Sequence, residues 1–131
     1  MSISATGVLC LALNVYFEAR GEDLASQYAV AEVTLNRVAS PDFPDDICEV
    51  VWQRKQFSWT HDGKSDKPKD KRAWRRAVSV AGFALEDDGY NVVGYSALFY
   101  HADYVRPYWA KTYERVGKVG RHIFYKKKGA T

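Results

Sequence analysis

The sequence predicts a single α+β domain, mainly helical, closed near its C-terminal end by a small β-hairpin. Three observations carry that prediction. Apolar residues recur at helical spacing through most of the first two thirds of the chain, short β-type runs are confined to the last third, and no internal repeat or low-complexity linker divides them. A chain of 131 residues has room for one core, so residues 1–131 are expected to form one domain. With 47% hydrophobic and 27% charged residues, the composition excludes the disordered and collagen-like classes.

Residues 4–20 read as the first helix, with Ser4 or Thr6 as N-cap and Gly21 as its stop. Apolar side chains fall nearly all round it, which predicts a central, buried helix. The run Val8–Leu13 has no basic flank and leads into Asn14 rather than a cleavage site, so it reads as core and not as a signal peptide. The second helix runs from Asp23 or Leu24 to Val38 and carries Leu24, Tyr28, Ala31, Leu35 and Val38 at helical spacing, with Ser40-Pro41 as its stop. The glycine connection makes an αα-corner with Glu18 and Glu22 at its apex.

Residues 40–46 are dense in turn formers and form a loop, followed by a short helix over 46–53 whose acidic start suits the helix dipole. The alternating, aromatic stretch Lys55–Thr60 predicts a short strand or extended edge facing a groove. A lysine-rich surface loop spans 63–71. The next helix covers 71–85, with Ala73, Ala77, Val80, Ala81 and Ala84 on its packed side, Arg72, Arg75 and Arg76 on the other, and Asp87-Asp88-Gly89 ending it. Residues 98–104 predict a strand, a helical turn follows near Trp109–Tyr113, and Glu114–Val116 and His122–Tyr125 form the arms of a hairpin reversing through Gly117–Gly120.

Four Trp, nine Tyr and six Phe are more rings than a core of this size readily absorbs, so some are expected to line a groove suited to sugars, nucleobases or peptides. The net charge of +3 is unevenly spread. Basic residues cluster from Lys64 to Arg76 and at Lys126–Lys128, which is either a solvated face or a surface for a polyanion such as nucleic acid, an anionic membrane or an anionic wall polymer. Cys10 and Cys48 are too few for a disulfide scaffold and lack metal-type spacing; they read as two buried free thiols, although sequence leaves their pairing undecided. No run reaches the length of a membrane span, so the chain is expected to emerge soluble in the cytoplasm.

Between Val8 and Phe17 there is no carboxyl group, and Glu18 arrives where the buried helix runs out. A carboxyl at the lip of a core is partly desolvated, which raises its pKa and lets it hold a proton near neutrality, as a general acid must. The alternative is that Glu18 and Glu22 only decorate a helix end. Glycosidases usually use two carboxyl groups, and residues four apart share a helix face, but Gly21 interrupts this one. A single glutamate suffices where the substrate supplies its own nucleophile. His61, His101 and His122 show no HExxH or paired His/Cys spacing, so no metal is expected; nor is there a Gly-x-Ser-x-Gly elbow or a phosphate-binding loop. The lysines of 64–71 lie in a loop without a reader motif, which argues against a nucleic-acid partner.

Several motifs occur in order over nearly the whole chain: Tyr16-Phe17-Glu18-Ala19-Arg20-Gly21-Glu22, Ala29-Val30-Ala31 with Leu35-Asn36-Arg37-Val38, Gln56-Phe57-Ser58 with Asp62-Gly63, Ala97-Leu98-Phe99-Tyr100-His101-Ala102, and Gly120-Arg121-His122-Ile123-Phe124-Tyr125. Together they resemble the SleB-type cell-wall hydrolases, the spore-cortex-lytic and phage endolysin enzymes. The resemblance implies a lysozyme-like, lytic-transglycosylase-like domain that cuts peptidoglycan between N-acetylmuramic acid and N-acetylglucosamine without a cofactor. It implies Glu18 as the catalytic acid, with Glu22 structural or orienting the site, paired with Arg20 or Arg37. Gln56, Phe57, Tyr100 and His101 would line the sugar groove, with His122 and Tyr125 close by. A hydrolytic muramidase, a metal-dependent wall amidase and a non-enzymatic glycan-binding domain are the alternatives. Spore members commonly carry an export signal and a wall-binding module. Residues 1–131 show neither, so the expectation is a monomeric endolysin, made in the cytoplasm without stable membrane insertion and reaching the wall by a holin-dependent step.

Overall fold

The computed structural model describes residues 5–53, 57–86 and 91–130. Four helices, α1 (Ala5–Ala19), α2 (Leu24–Ala39), α3 (Ile47–Val51) and α4 (Lys71–Glu86), precede a three-stranded antiparallel sheet made of β1 (Ala97–Ala102), β2 (Glu114–Val119) and β3 (His122–Lys126), in the order β1-β3-β2. Single 3-10 turns occupy Ser58–Thr60 and Tyr108–Lys111. No helix among the described residues is long and apolar enough to cross a membrane. The mainly helical α+β class expected from the sequence is the one observed.

Helix α1 buries Leu11, Ala12, Val15, Tyr16 and Ala19 on more than one side because α2, α3 and α4 all pack around it. It contains Thr6, so Thr6 is not its N-cap, while Ser4 lies outside the described residues. Gly21 ends the helix at φ 86°, a left-handed conformation that a side chain would resist. Asp23 then caps α2, its carboxylate accepting the N–H of Ser26 at 2.9 Å. The alanines of α4 face inward as expected, Ala77, Ala81 and Ala84 being buried and its arginines exposed. The proposed stop at Asp87-Asp88-Gly89 falls outside the described residues.

Two expectations are corrected. Cys10 and Cys48 are not free thiols but form a disulfide, because α3 packs along α1 and brings their Cα atoms to 5.3 Å. Residues 57–60 are not an extended edge on a groove. They make a 3-10 turn closed by Thr60 N–H to Phe57 O at 3.2 Å, and Phe57 and Trp59 both point into the core, where Trp59 stacks on Phe17. Alternation cannot distinguish a strand from a turn that returns two rings to the same interior. The hairpin is also tighter than expected: β2 continues to Val119 and the reversal is Gly120-Arg121.

The core has two parts. One lies among α1, α3, α4 and the 57–60 turn; the other, built on Val30, Val33, Ala97 and Phe124, joins α2 to the sheet. Asn14, fully buried, ties the first part together by donating to Thr34 Oγ1 at 3.2 Å and accepting from Trp59 Nε1 at 3.0 Å. Side chains of α2 fix the approach to β1. Both oxygens of Glu32 accept the N–H of Val92, at 2.8 and 2.9 Å, and Asn36 Nδ2 donates to the carbonyls of Gly94 and Ala97. Burial raises the Glu32 carboxyl to about 7, with the N–H groups of Val92 and Val93 opposing it.

Candidate active site

A cleft of about 510 Å³ opens where the α1–α2 corner meets the end of β1 and the β2–β3 turn. Glu18, Arg20, Gly21, Glu22 and Asp23 line one side, and Ala102, Tyr104, Gly120, Arg121 and His122 the other. Glu18 occupies the last turn of α1, where the helix leaves the core. Burial raises its carboxyl from 4.5 to about 7; nearby Arg37 pulls it down and the Glu22 carboxylate pushes it up. Among the described residues the Glu18 carboxyl makes no hydrogen bond.

Glu22 is differently placed. Its Oε1 accepts the Ser26 hydroxyl at 2.7 Å and the Arg121 N–H at 2.9 Å. Its Oε2 stands 3.1 Å from His122 Nδ1, close but without the alignment of a hydrogen bond. Neither Arg20 nor Arg37 is its partner. Arg20 donates to the Tyr16 hydroxyl and lies over the Tyr16 ring. Arg37, almost wholly buried, donates Nε–H to Leu98 O at 2.8 Å and sits among the rings of Phe43, Phe57 and Phe99. Burial lowers the Arg37 guanidinium, opposed by Tyr100 and Glu18.

The closure depends on Gly120. A Cβ there would lie 2.7 Å from both Glu22 Oε1 and Ser26 Oγ, and its φ is +58°. Only a bare, left-handed residue lets the turn sit this close to the corner.

Strand alternation separates two of the expected groove residues. Tyr100 faces the helices, against Phe57, His122 and Phe124. Its hydroxyl is buried near Asn14, Glu18 and Arg37 without an aligned hydrogen-bond partner among the described residues; burial first, then the Glu18 carboxylate, drives it well above the ordinary tyrosine range. His101 points to the other face, stacked on Tyr125 with Nε2 2.8 Å from its hydroxyl and packed against Trp109. His122 lines the cleft, whereas Phe57 and Tyr125 are interior side chains, 3% and 7% exposed, that support the site without offering it a surface. Gln56 lies outside the described residues. Tyr104, Arg121 and Ser26 were not singled out as site residues in the sequence, although Arg121 falls within the Gly120–Tyr125 motif; the fold brings 22, 26, 104 and 121 together.

Two other acids are engaged elsewhere in the fold. Asp103 pairs with Lys118 at 3.1 Å and Asp62 caps the N–H of Lys64. Among the described residues, no three His, Cys, Asp or Glu side chains gather as a metal ion would require.

The family model described as Cell Wall Hydrolase matches residues 21–125, a span that starts just after Glu18. The chain is 34% identical over 121 residues to a spore cortex-lytic enzyme of Halalkalibacterium halodurans, covering 92% of this chain and 35% of the relative. It is 34% identical over 125 residues to that of Oceanobacillus iheyensis, covering 94% and 42%. It thus spans less than half the length of these relatives. Among solved structures, the catalytic domain of the germination-specific lytic transglycosylase SleB from Bacillus anthracis superposes with a TM-score of 0.76 at 32% identity, over 95% of this chain and 98% of that one. The Bacillus cereus SleB catalytic domain gives 0.75 at 29%, over 95% and 93%.

Proposed function

This chain belongs to the cell-wall hydrolase family, and from that premise we propose that it cleaves peptidoglycan glycan strands as a lytic transglycosylase with Glu18 as its one catalytic carboxyl. The observation that carries the reading is the contrast between the two glutamates of the corner. Glu18 lines the cleft, is desolvated, holds its proton to about pH 7 and is spent on no internal hydrogen bond among the described residues. Glu22 accepts two hydrogen bonds on Oε1, and its Oε2 faces His122 Nδ1 at 3.1 Å, so the side chain is tied into the fold. The curated relatives are spore cortex-lytic enzymes and the superposed domain is a lytic transglycosylase, which supports the same substrate and outcome.

In this mechanism Glu18 gives its proton to the glycosidic oxygen as the bond from muramic C1 breaks. The C6 hydroxyl of the same muramic residue attacks C1, closing a 1,6-anhydro ring, and its proton passes to the Glu18 carboxylate, which restores the acid. Arg37, whose charge favours the ionised form, steadies the carboxylate between the two transfers. No water needs to be activated, consistent with the engagement of Glu22, Asp62 and Asp103.

The test is mass analysis of fragments released from purified sacculi. Anhydro-muramic ends from the wild type and none from Glu18→Gln are expected; activity persisting in that variant would remove Glu18 from its role. Reducing ends would assign the same site to a muramidase, and loss of activity to a chelator would point to the amidase alternative.

A further inference from the structure

We infer that Tyr104 and Arg121 form a subsite for a carboxylate-bearing sugar of the strand, on the wall of the cleft opposite the helix corner; the inference rests on the glycan-cleaving reading above. Both residues line the cleft that holds Glu18. Their backbones are fixed. Asp103 N–H donates to Arg121 O at 2.8 Å, Val105 N–H closes a turn on Ala102 O at 3.1 Å, and Arg121 N–H is held by Glu22. Their side chains are not. Tyr104 is 81% exposed, and neither its ring nor the Arg121 guanidinium makes a hydrogen bond, ion pair or ring contact among the described residues.

Single exposed aromatics are common on protein surfaces. This one shares a cleft wall with an uncommitted cation while, apart from Glu18, the acids around it are engaged: Glu22 by Ser26 and Arg121 N–H, Asp23 by Ser26 N–H, and Asp103 by Lys118. The other cleft arginine, Arg20, is held on Tyr16. A flat ring offers its face to the C–H face of a pyranose, and a free guanidinium offers a bidentate fork to a carboxylate. In a peptidoglycan strand, the carboxylates near the sugar plane belong to the muramic lactyl group, when its peptide has been removed, or to the peptide stem when it is present. The shared chemistry is an anionic substituent on the muramic residue.

The test compares wild type, Arg121→Gln, Arg121→Lys and Tyr104→Ala on three substrates: stem-bearing sacculi, strands stripped of stems by an amidase, and either one after its carboxylates are converted to neutral amides. Arg121→Gln is expected to raise KM about tenfold on a carboxylate-bearing substrate with kcat little changed, and to change nothing on the amidated one. Arg121→Lys should recover part of the loss, and Tyr104→Ala should raise KM on all three. An effect confined to sacculi assigns the stem carboxylates, and one confined to stripped strands assigns the lactyl group. Equal KM for Arg121→Gln and wild type on both charged substrates, or an equal rise on charged and amidated ones, overturns the subsite. A wild type that releases no fragments instead overturns the glycan-cleaving reading. Binding of the charged substrates by Glu18→Gln with and without Arg121→Gln, in a pull-down, reads the subsite independently of turnover, and equal binding also counts against it.

Discussion

Glu22 Oε1 accepts the backbone N–H of Arg121 at 2.9 Å, joining the first helix corner to the hairpin turn across 99 residues of sequence. Replacing Glu22 with Ala leaves that N–H and the Ser26 hydroxyl without their acceptor. We expect a loss of about 2–3 kcal/mol, read by urea denaturation, and a marked fall in activity as the cleft loosens. Glu22→Gln keeps the acceptor oxygen and should retain most of the stability.

The same substitutions remove a negative charge that raises the pKa of Glu18. The alkaline limb of the pH–rate profile should therefore move to lower pH in Glu22→Gln. For the wild type, kcat/KM should fall as pH rises through about 7, where Glu18 gives up its proton. A profile flat from pH 6 to 9 would count against a desolvated acid.

Glu18 also costs stability when ionised. Its folded pKa of about 7 lies above the 4.5 of an ordinary carboxyl, so the folded state binds the extra proton between those values, and stability falls as pH rises through that window. Glu18→Gln never ionises. Above pH 7 it should be more stable than the wild type, by up to about 3 kcal/mol, and the difference should vanish below about pH 4, as thermal melting across the pH range will show.

Gly120→Ala places a methyl group against Glu22 Oε1 and Ser26 Oγ in a left-handed backbone. A destabilisation of about 2–4 kcal/mol is expected. Gly117→Ala, where nothing lies within 4 Å and φ is not left-handed, is the control and should stay within about 1 kcal/mol.

The Cys10–Cys48 disulfide closes a loop of separation 38. Loop-closure entropy predicts that the Cys10→Ser, Cys48→Ser double variant loses about 4 kcal/mol, and Tm should drop by roughly 10 °C or more. Reductant should lower the wild-type melting temperature and leave that of the double variant unchanged.

The helices were legible because each writes its own signal: Gly21 after an apolar run, Asp23 before Ser26, and alanines at helical spacing in α4. The desolvated position of Glu18 was legible for the same reason, as the first carboxyl after a buried stretch. What stayed hidden depends on partners distant in sequence. Cys48 gains its partner only when α3 lies on α1, and Arg37 is an interior cation because three phenylalanines and the Leu98 carbonyl surround it. Glu32 reads as a surface acid in its helix, yet it holds Val92 from within. Phe57 and His101 were placed in a groove by their motifs. An interior turn takes Phe57 into the core, and strand alternation sets His101 on the face opposite Tyr100, stacked on Tyr125.

The hairpin seated on Glu22 has a consequence for the order of synthesis. The Glu18 carboxyl is synthesised well before the wall that encloses it: from Tyr104 to His122, that wall follows roughly a hundred residues later in the chain. A growing chain therefore carries that carboxyl without the enclosing cleft until the wall has been made. The cleft is complete only when Arg121 reaches the corner.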